Sequence, residues 1–290
     1  MQMMIFGAGY SGQAIAAEVR KAGGTVSGTT RSAEKLASLE AQGIKAHVFD
    51  GLSLSEPLKA AMAETTHLVQ SIAPGQAGDP LLNLCGEDLA AAFPSLRWIA
   101  YLSTVGVYGD HGGGWVTEET PCRPVSARSV ERVAAEEAWM EAGKKLGVPT
   151  AILRLSGIYG PGRNGFMNLA QGTARRLVKP GQVFNRIRVE DIGAASLFLA
   201  GRSLGGIFNV TDNEPAPPQD VVAEAARLMG VEPPPEQAFE TAELSPMARS
   251  FYGENKRVSN EKLRNLGFSF LFPEYRVSLS QMWESGGWKG

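Results

Sequence analysis

Met3-Met4-Ile5-Phe6-Gly7-Ala8-Gly9-Tyr10-Ser11-Gly12 is the stretch that decides the fold. Four apolar residues read as a buried strand, and the glycines that follow fit the pattern G-x-G-x-x-G. In such a turn Gly7 permits the tight reversal after the strand. Gly9 lets a pyrophosphate approach the backbone, and Gly12 lets the next helix pack close to the sheet. The start of that helix, at Tyr10 and Ser11, offers N–H groups and a partial positive charge to phosphates. The turn therefore predicts a dinucleotide site at Gly7, Gly9, Tyr10, Ser11 and Gly12.

Strand-like and helix-like segments alternate after the turn. Residues 11–22, 32–42, 58–64, 81–92 and 126–146 read as helices; 25–30, 45–49, 67–72, 97–102 and 150–155 read as strands. This repetition predicts an α/β fold, a doubly wound parallel sheet of the Rossmann kind with right-handed crossovers. The second half is less regular. Residues 157–162 read as a loop, 186–189 as a short strand, 189–200 as a helix and 207–211 as a strand, before a proline-rich stretch at 214–218. We expect a dinucleotide-binding domain over 1–160, with 186–212 returning to it. Residues 161–290 then form mainly a smaller C-terminal α/β substrate subdomain.

Bulk composition narrows the partners. At 290 residues and net charge −2, basic and acidic groups nearly cancel, which points away from nucleic acid and anionic membranes. Cys85 and Cys122 form no CxxC, as in a reduced, cytoplasmic protein. The apolar N-terminus lacks a basic leader and is broken by glycines, so it reads as a strand and not a signal peptide. No run approaches the ~18 apolar residues of a membrane helix. Three scattered histidines give no metal-ligand spacing, so no metal is expected. Ser103 has no G-x-S-x-G context, which argues against a hydrolase triad.

The end of the second strand sets the choice of nicotinamide cofactor. An NAD site usually has an acidic residue there for the ribose 2′-OH; this chain has Thr29-Thr30-Arg31-Ser32. Arg31 is placed to bind a 2′-phosphate bidentately, so the sequence favours NADP over NAD. The alternative is a solvated surface arginine. Asp50, at the end of the third strand, is placed to meet the adenine or to cap a helix.

Three further stretches join the glycine turn: Tyr101-Leu102-Ser103-Thr104-Val105-Gly106-Val107-Tyr108-Gly109, Arg154-Leu155-Ser156-Gly157-Ile158-Tyr159-Gly160-Pro161-Gly162, and Arg186-Ile187-Arg188-Val189-Glu190-Asp191. With them the chain resembles an extended short-chain dehydrogenase/reductase of the NAD(P)-dependent epimerase/dehydratase kind over most of its length. The resemblance implies a nicotinamide cofactor in the N-terminal sheet domain and a small-molecule substrate beneath the C-terminal subdomain. It also implies a homodimer formed through the long helix. It implies chemistry by a Ser/Thr, a Tyr and a Lys as well. The Ser/Thr falls on Thr104, beside Ser103. The Tyr and Lys fall on Arg128 and Arg132, and no tyrosine occurs between Tyr108 and Tyr159.

That replacement matters physically. An arginine neither accepts nor releases a proton near neutrality. It can polarise a carbonyl or bind an anion, and Arg132 could keep a ribose contact. Arg128 and Arg132, at i and i+4, are expected on one helix face. Arg128 is then either an anion-binding group or a surface residue at an abandoned site. Tyr108, His111, Tyr159 and Ser71 are the other groups that could supply a proton. Two functions follow. One is an oxidoreductase or epimerase/dehydratase-like enzyme acting on a small, anionic or sugar-nucleotide substrate through a non-standard proton relay. The other is a non-catalytic NADP(H)-binding sensor or scaffold.

Overall fold

Gln2–Phe6 forms the first strand, and all of it except Gln2 is buried, as a strand covered on both faces requires. The structure is a computed structural model describing the backbone of residues 1–290 and all side chains except those of 246–248. In chain order the strands are β1 (Gln2–Phe6), β2 (Thr25–Thr30), β3 (Lys45–Val48), β4 (His67–Gln70), β5 (Trp98–Thr104), β6 (Trp115–Val116) and β7 (Thr150–Leu155). They continue as β8 (Gly157–Tyr159), β9 (Arg176–Val178), β10 (Arg186–Arg188), β11 (Gly206–Val210), β12 (Glu236–Ala238) and β13 (Arg257–Val258).

Seven of these make one sheet in the order β11-β7-β5-β4-β1-β2-β3. β1 is parallel to β2, with Met4 opposite Ser27, and parallel to β4, with Met4 opposite Leu68. The chain runs outward from β1 through β2 to β3, then returns to β4 and continues the other way. The strand order therefore reverses between β1 and β4. Ligands of such sheets bind beyond the strand carboxyl ends at that reversal. The carboxyl end of β1 is Phe6, where the glycine turn begins.

The chain divides into two compact units. The first comprises Met1–Val107, Pro124–Arg154 and Ile192–Phe208; the second comprises Tyr108–Arg123, Leu155–Asp191 and Asn209–Gly290. The core of the first unit joins Met4 and Phe6 of β1 to Leu68, Ile99, Tyr101 and Ile152 of the neighbouring strands, with Trp139 from the helix Ala127–Leu146. Asp79 fastens this core. Its carboxylate accepts from Gln70 Nε2 at 2.9 Å and Trp139 Nε1 at 3.1 Å, and it caps the helix Pro80–Cys85. The second unit packs Phe166, Tyr275, Leu279 and Met282 against Trp283 and Trp288. It also contains the strand pairs β8–β10, β9–β12 and β6–β13.

Local departures from the sequence expectation have simple causes. Residues 81–92 are not one helix: Gly86, at φ +50, breaks them into Pro80–Cys85 and Leu89–Ala92. Residues 32–42 open with a 3-10 turn, Ala33–Lys35, before the helix Leu36–Ala41. The expected loop at 157–162 begins with a strand instead, because Gly157–Tyr159 pairs in parallel with Arg186–Arg188. Among the described residues no helix is long and apolar enough to cross a membrane.

Candidate functional site

The three glycines of the turn differ physically. Gly7 has φ +85, the left-handed region that glycine adopts without steric cost. A Cβ on Gly9 would meet nothing within 4 Å, so its backbone borders open space. A Cβ on Gly12 would lie 3.0 Å from the Gly7 carbonyl oxygen and 3.1 Å from the Ile5 side chain, so the helix there meets the sheet closely. The second strand fixes the loop. Gly7 N–H donates to Thr29 Oγ1 at 2.9 Å, and Ala8 N–H donates to the Thr29 carbonyl at 2.8 Å. The helix Tyr10–Lys21 starts after Gly9 with no side chain capping its first N–H groups. A tight turn, an open approach and an uncapped helix start fit a dinucleotide pyrophosphate.

Arg31 follows β2 directly and is exposed, with no hydrogen bond or ion pair among the described residues. The backbone bends beyond it, as Ser32 N–H donates to Thr30 Oγ1 at 3.3 Å. Asp50 is also exposed. Its carboxylate accepts from the Leu52 N–H at 2.8 Å, so it closes a turn and caps no helix.

At the carboxyl end of β5 the structure brings Ser103, Thr104 and Arg132 together. Ser103 is 4% exposed and donates to Glu136 Oε1 at 2.5 Å. Glu136 in turn holds Arg154 of β7 through Nη2–Oε2 at 2.7 Å, with side chains 5% and 4% exposed. Thr104 is half-buried, and its Oγ1 accepts from the Gly106 N–H at 3.1 Å. Arg132 Nη1 donates to the Leu102 carbonyl at 2.5 Å, and its guanidinium lies 5.7 Å from the Tyr101 ring centroid. Burial pushes the Tyr101 phenol up to about 12, with the Arg132 cation opposing the shift.

Arg128 does not join this group. It is exposed and has no hydrogen bond or ion pair among the described residues. Arg128 and Arg132 sit four residues apart on the helix Ala127–Leu146, and of the two it is Arg132 that bonds to β5, one turn before the buried Glu136; Arg128 stands at the exposed start of the helix. Ser129 is buried and was not singled out from the sequence. Its signal was the N-cap at Ser126, which fixes the helix phase: Ser126 Oγ accepts from the Ser129 N–H at 3.1 Å.

The remaining proton candidates are tied up or distant in role. Tyr108 is fully buried and donates to Asn209 Oδ1 at 2.7 Å. His111 Nε2 lies 3.1 Å from the Tyr108 carbonyl. Burial pushes the Tyr159 phenol well above its ordinary range. Ser71 is half-buried, and its N–H donates to the Phe6 carbonyl at 2.9 Å. The segment Arg186–Asp191 serves the second unit. Arg188 pairs with Glu190 at 2.6 Å, and Asp191 accepts from the N–H groups of Leu271 and Phe272 at 2.6 and 3.0 Å.

A parallel sheet with a glycine turn at its strand-order reversal defines the Rossmann class. The pattern of the NAD dependent epimerase/dehydratase family matches residues 3–179, and the chain belongs to that family, within the extended short-chain dehydrogenases/reductases. A functionally unknown conserved protein from Silicibacter pomeroyi DSS is 41% identical, with 98% of this chain and 99% of that one covered and a TM-score of 0.88. Protein YeeZ of Escherichia coli (strain K12) is 29% identical over 290 residues, covering 94% of this chain and 97% of its own. The Thermus thermophilus UDP-glucose 4-epimerase, solved in complex with NAD, shares the fold at a TM-score of 0.75 and 22% identity, with 98% and 99% covered.

Proposed function

We propose that this protein is an NADP-preferring oxidoreductase or epimerase/dehydratase-like enzyme acting on a small, anionic or sugar-nucleotide substrate. The observation that carries the reading is the glycine turn with open space at Gly9, together with an exposed Arg31 directly after β2 that no carboxylate neutralises among the described residues. Gly7, Gly9, Tyr10, Ser11 and Gly12 would hold the pyrophosphate, Arg31 the 2′-phosphate and Asp50 the adenosine end. The bound dinucleotide supplies a hydride donor or acceptor.

The chain's own residues have these roles in the proposal. Thr104 holds the substrate oxygen from the end of β5. Ser103 does not touch substrate; its bond to Glu136 orients the strand end that carries Thr104. Arg132, tethered to the Leu102 carbonyl, adds a fixed positive charge beside that strand end. Arg128 is an anion contact at the surface and cannot relay a proton.

A second reading is a non-catalytic NADP(H)-binding sensor or scaffold. The exposed guanidinium of Arg128, at the position where a phenol would work, favours it. Incubation with NADPH or NADP⁺ and a panel of carbonyl compounds and sugar nucleotides separates the two. Turnover of a panel member supports the enzyme. Tight cofactor binding without turnover across the panel supports the sensor.

A further inference from the structure

We propose that the free edge of β3 binds an extended peptide by strand addition and takes a lysine or arginine side chain of that peptide into the depression beside His47. The proposal is independent of the oxidoreductase reading above.

β3 is the terminal strand of the seven-stranded sheet, with β2 as its one neighbour there. Ala46 lies opposite Gly28 and Val48 opposite Thr30, and the Phe49 N–H donates to the Thr30 carbonyl at 2.9 Å. In a parallel ladder alternate residues bond to the neighbouring strand, so Lys45, His47 and Phe49 serve β2. The N–H and C=O groups of Ala46 and Val48 point away from it, and none is hydrogen-bonded among the described residues. Val48 is 41% exposed, so no helix or loop covers the edge at that point. A row of donors and acceptors at strand spacing matches the amides of a second extended chain.

A depression of about 390 Å³ runs beside this edge. Ala46, His47 and Val48 line it from the strand, and Asp50, Ser55 and Pro57 line it around the start of the helix Glu56–Glu64. Its size falls in the range of ligand pockets, about 300–1,000 Å³. His47 is 7% exposed, and its Nε2 is buried with no hydrogen-bond partner. A buried nitrogen left unpaired is costly, and a ligand hydrogen bond would relieve that cost. Burial and the neighbouring Lys45 hold the imidazole below its ordinary range. At neutral pH the ring therefore carries no charge and has a lone pair to accept with. Asp50 is the one charged side chain among the lining residues. Its Oδ1 accepts from the Leu52 N–H, and its Oδ2 has no partner among the described residues. A carboxylate beside a neutral acceptor selects a cationic side chain over an anionic one. Val48 and Pro57 offer apolar surface to its methylene stem. Main-chain bonds to Ala46 and Val48 then supply affinity, and the depression supplies selectivity.

The test titrates the full chain, without cofactor, with acetyl-Thr-Val-Lys-Val-Thr-amide and with the same peptide carrying Glu in place of Lys. Amide hydrogen exchange is followed residue by residue. The Lys peptide should bind at least about tenfold tighter than the Glu peptide. At saturation the Ala46 and Val48 amides should exchange at least about tenfold more slowly, with the His47 amide unchanged. Val48→Pro removes an outward N–H and leaves the β2 ladder intact, so it should weaken binding by at least about threefold. Asp50→Asn should abolish the preference for Lys over Glu. Thermal melts establish that both variants fold, and the exchange pattern of wild type decides the matter without either. Failure of wild type to bind the Lys peptide, equal binding of the two peptides, or binding that leaves the Ala46 and Val48 amides unprotected would overturn the proposal. So would sedimentation showing a dimer that protects the same two amides without peptide, since a second copy would then be the occupant.

Discussion

Glu136 and Arg154 form a buried ion pair, Oε2 to Nη2 at 2.7 Å, that joins the long helix Ala127–Leu146 to β7. Ser103 donates to the same carboxylate, so β5 is tied in as well. Removing one partner of a buried pair leaves an uncompensated charge, which costs about 3–5 kcal/mol. We expect Glu136→Ala to lower stability by about that amount. The double replacement Glu136→Leu with Arg154→Met should lose much less. Urea unfolding of the three proteins checks this, and equal losses in single and double variants would contradict it.

The glycines of the turn should separate folding from binding. A Cβ at Gly9 meets nothing, so Gly9→Ala should keep the wild-type melting temperature and lower NADPH affinity by tenfold or more, a loss of about 1.4 kcal/mol. A Cβ at Gly12 crowds the Gly7 carbonyl, so Gly12→Ala should lower both, with a stability cost of about 1–3 kcal/mol. Thermal melts paired with cofactor titration measure each effect.

Asp191 gives a pH signature. Burial raises its carboxyl from 3.8 to about 6, although it accepts two backbone N–H groups. Above the unfolded value the native state then binds more protons than the unfolded state. Stability from this group is full below about pH 4 and is lost as pH rises toward about 6. Replacing Asp191 by Asn should flatten the stability–pH curve over that window, and should cost about 1 kcal/mol or more through the acceptor it loses. Denaturant titrations from pH 4 to 7 check the slope.

Cys85 should be silent toward thiol reagents. Burial pushes its thiol up to about 11, with Asp79 and Asp88 adding to the shift. Native protein at pH 8 should leave Cys85 unmodified by a disulfide reagent, and unfolded protein should react fully. Peptide mapping after labelling distinguishes the two.

The chain's periodic elements were legible in its sequence. β1, β2 and the strand Thr150–Leu155 are dense in apolar or β-branched residues between glycine punctuation, and local pattern suffices to find them. The Gly7–Gly12 turn was legible for the same reason, since its requirements are met within one loop. Pairings across the chain were not. Gly157–Tyr159 read as a loop because its partner β10 is distant in sequence. The Ser103–Glu136–Arg154 cluster spans strand, helix and strand, and nothing in spacing announces it. Arg128 was placed by the motif's register. Which stripe of the helix faces β5 depends on helix phase, set by the cap at Ser126, and that phase points Ser129 inward.

The proposed cofactor preference rests on the glycine turn and Arg31 holding a 2′-phosphorylated nicotinamide dinucleotide together. Calorimetric titration of wild type and Arg31→Ala with NADPH and NADH tests it directly. The account predicts that wild type binds NADPH tighter than NADH by about 10- to 100-fold, the worth of charge-assisted hydrogen bonds of about 1.5–3 kcal/mol, and that R31A erases the difference. Absence of binding by either cofactor, or an R31A variant that keeps the full preference, would contradict it.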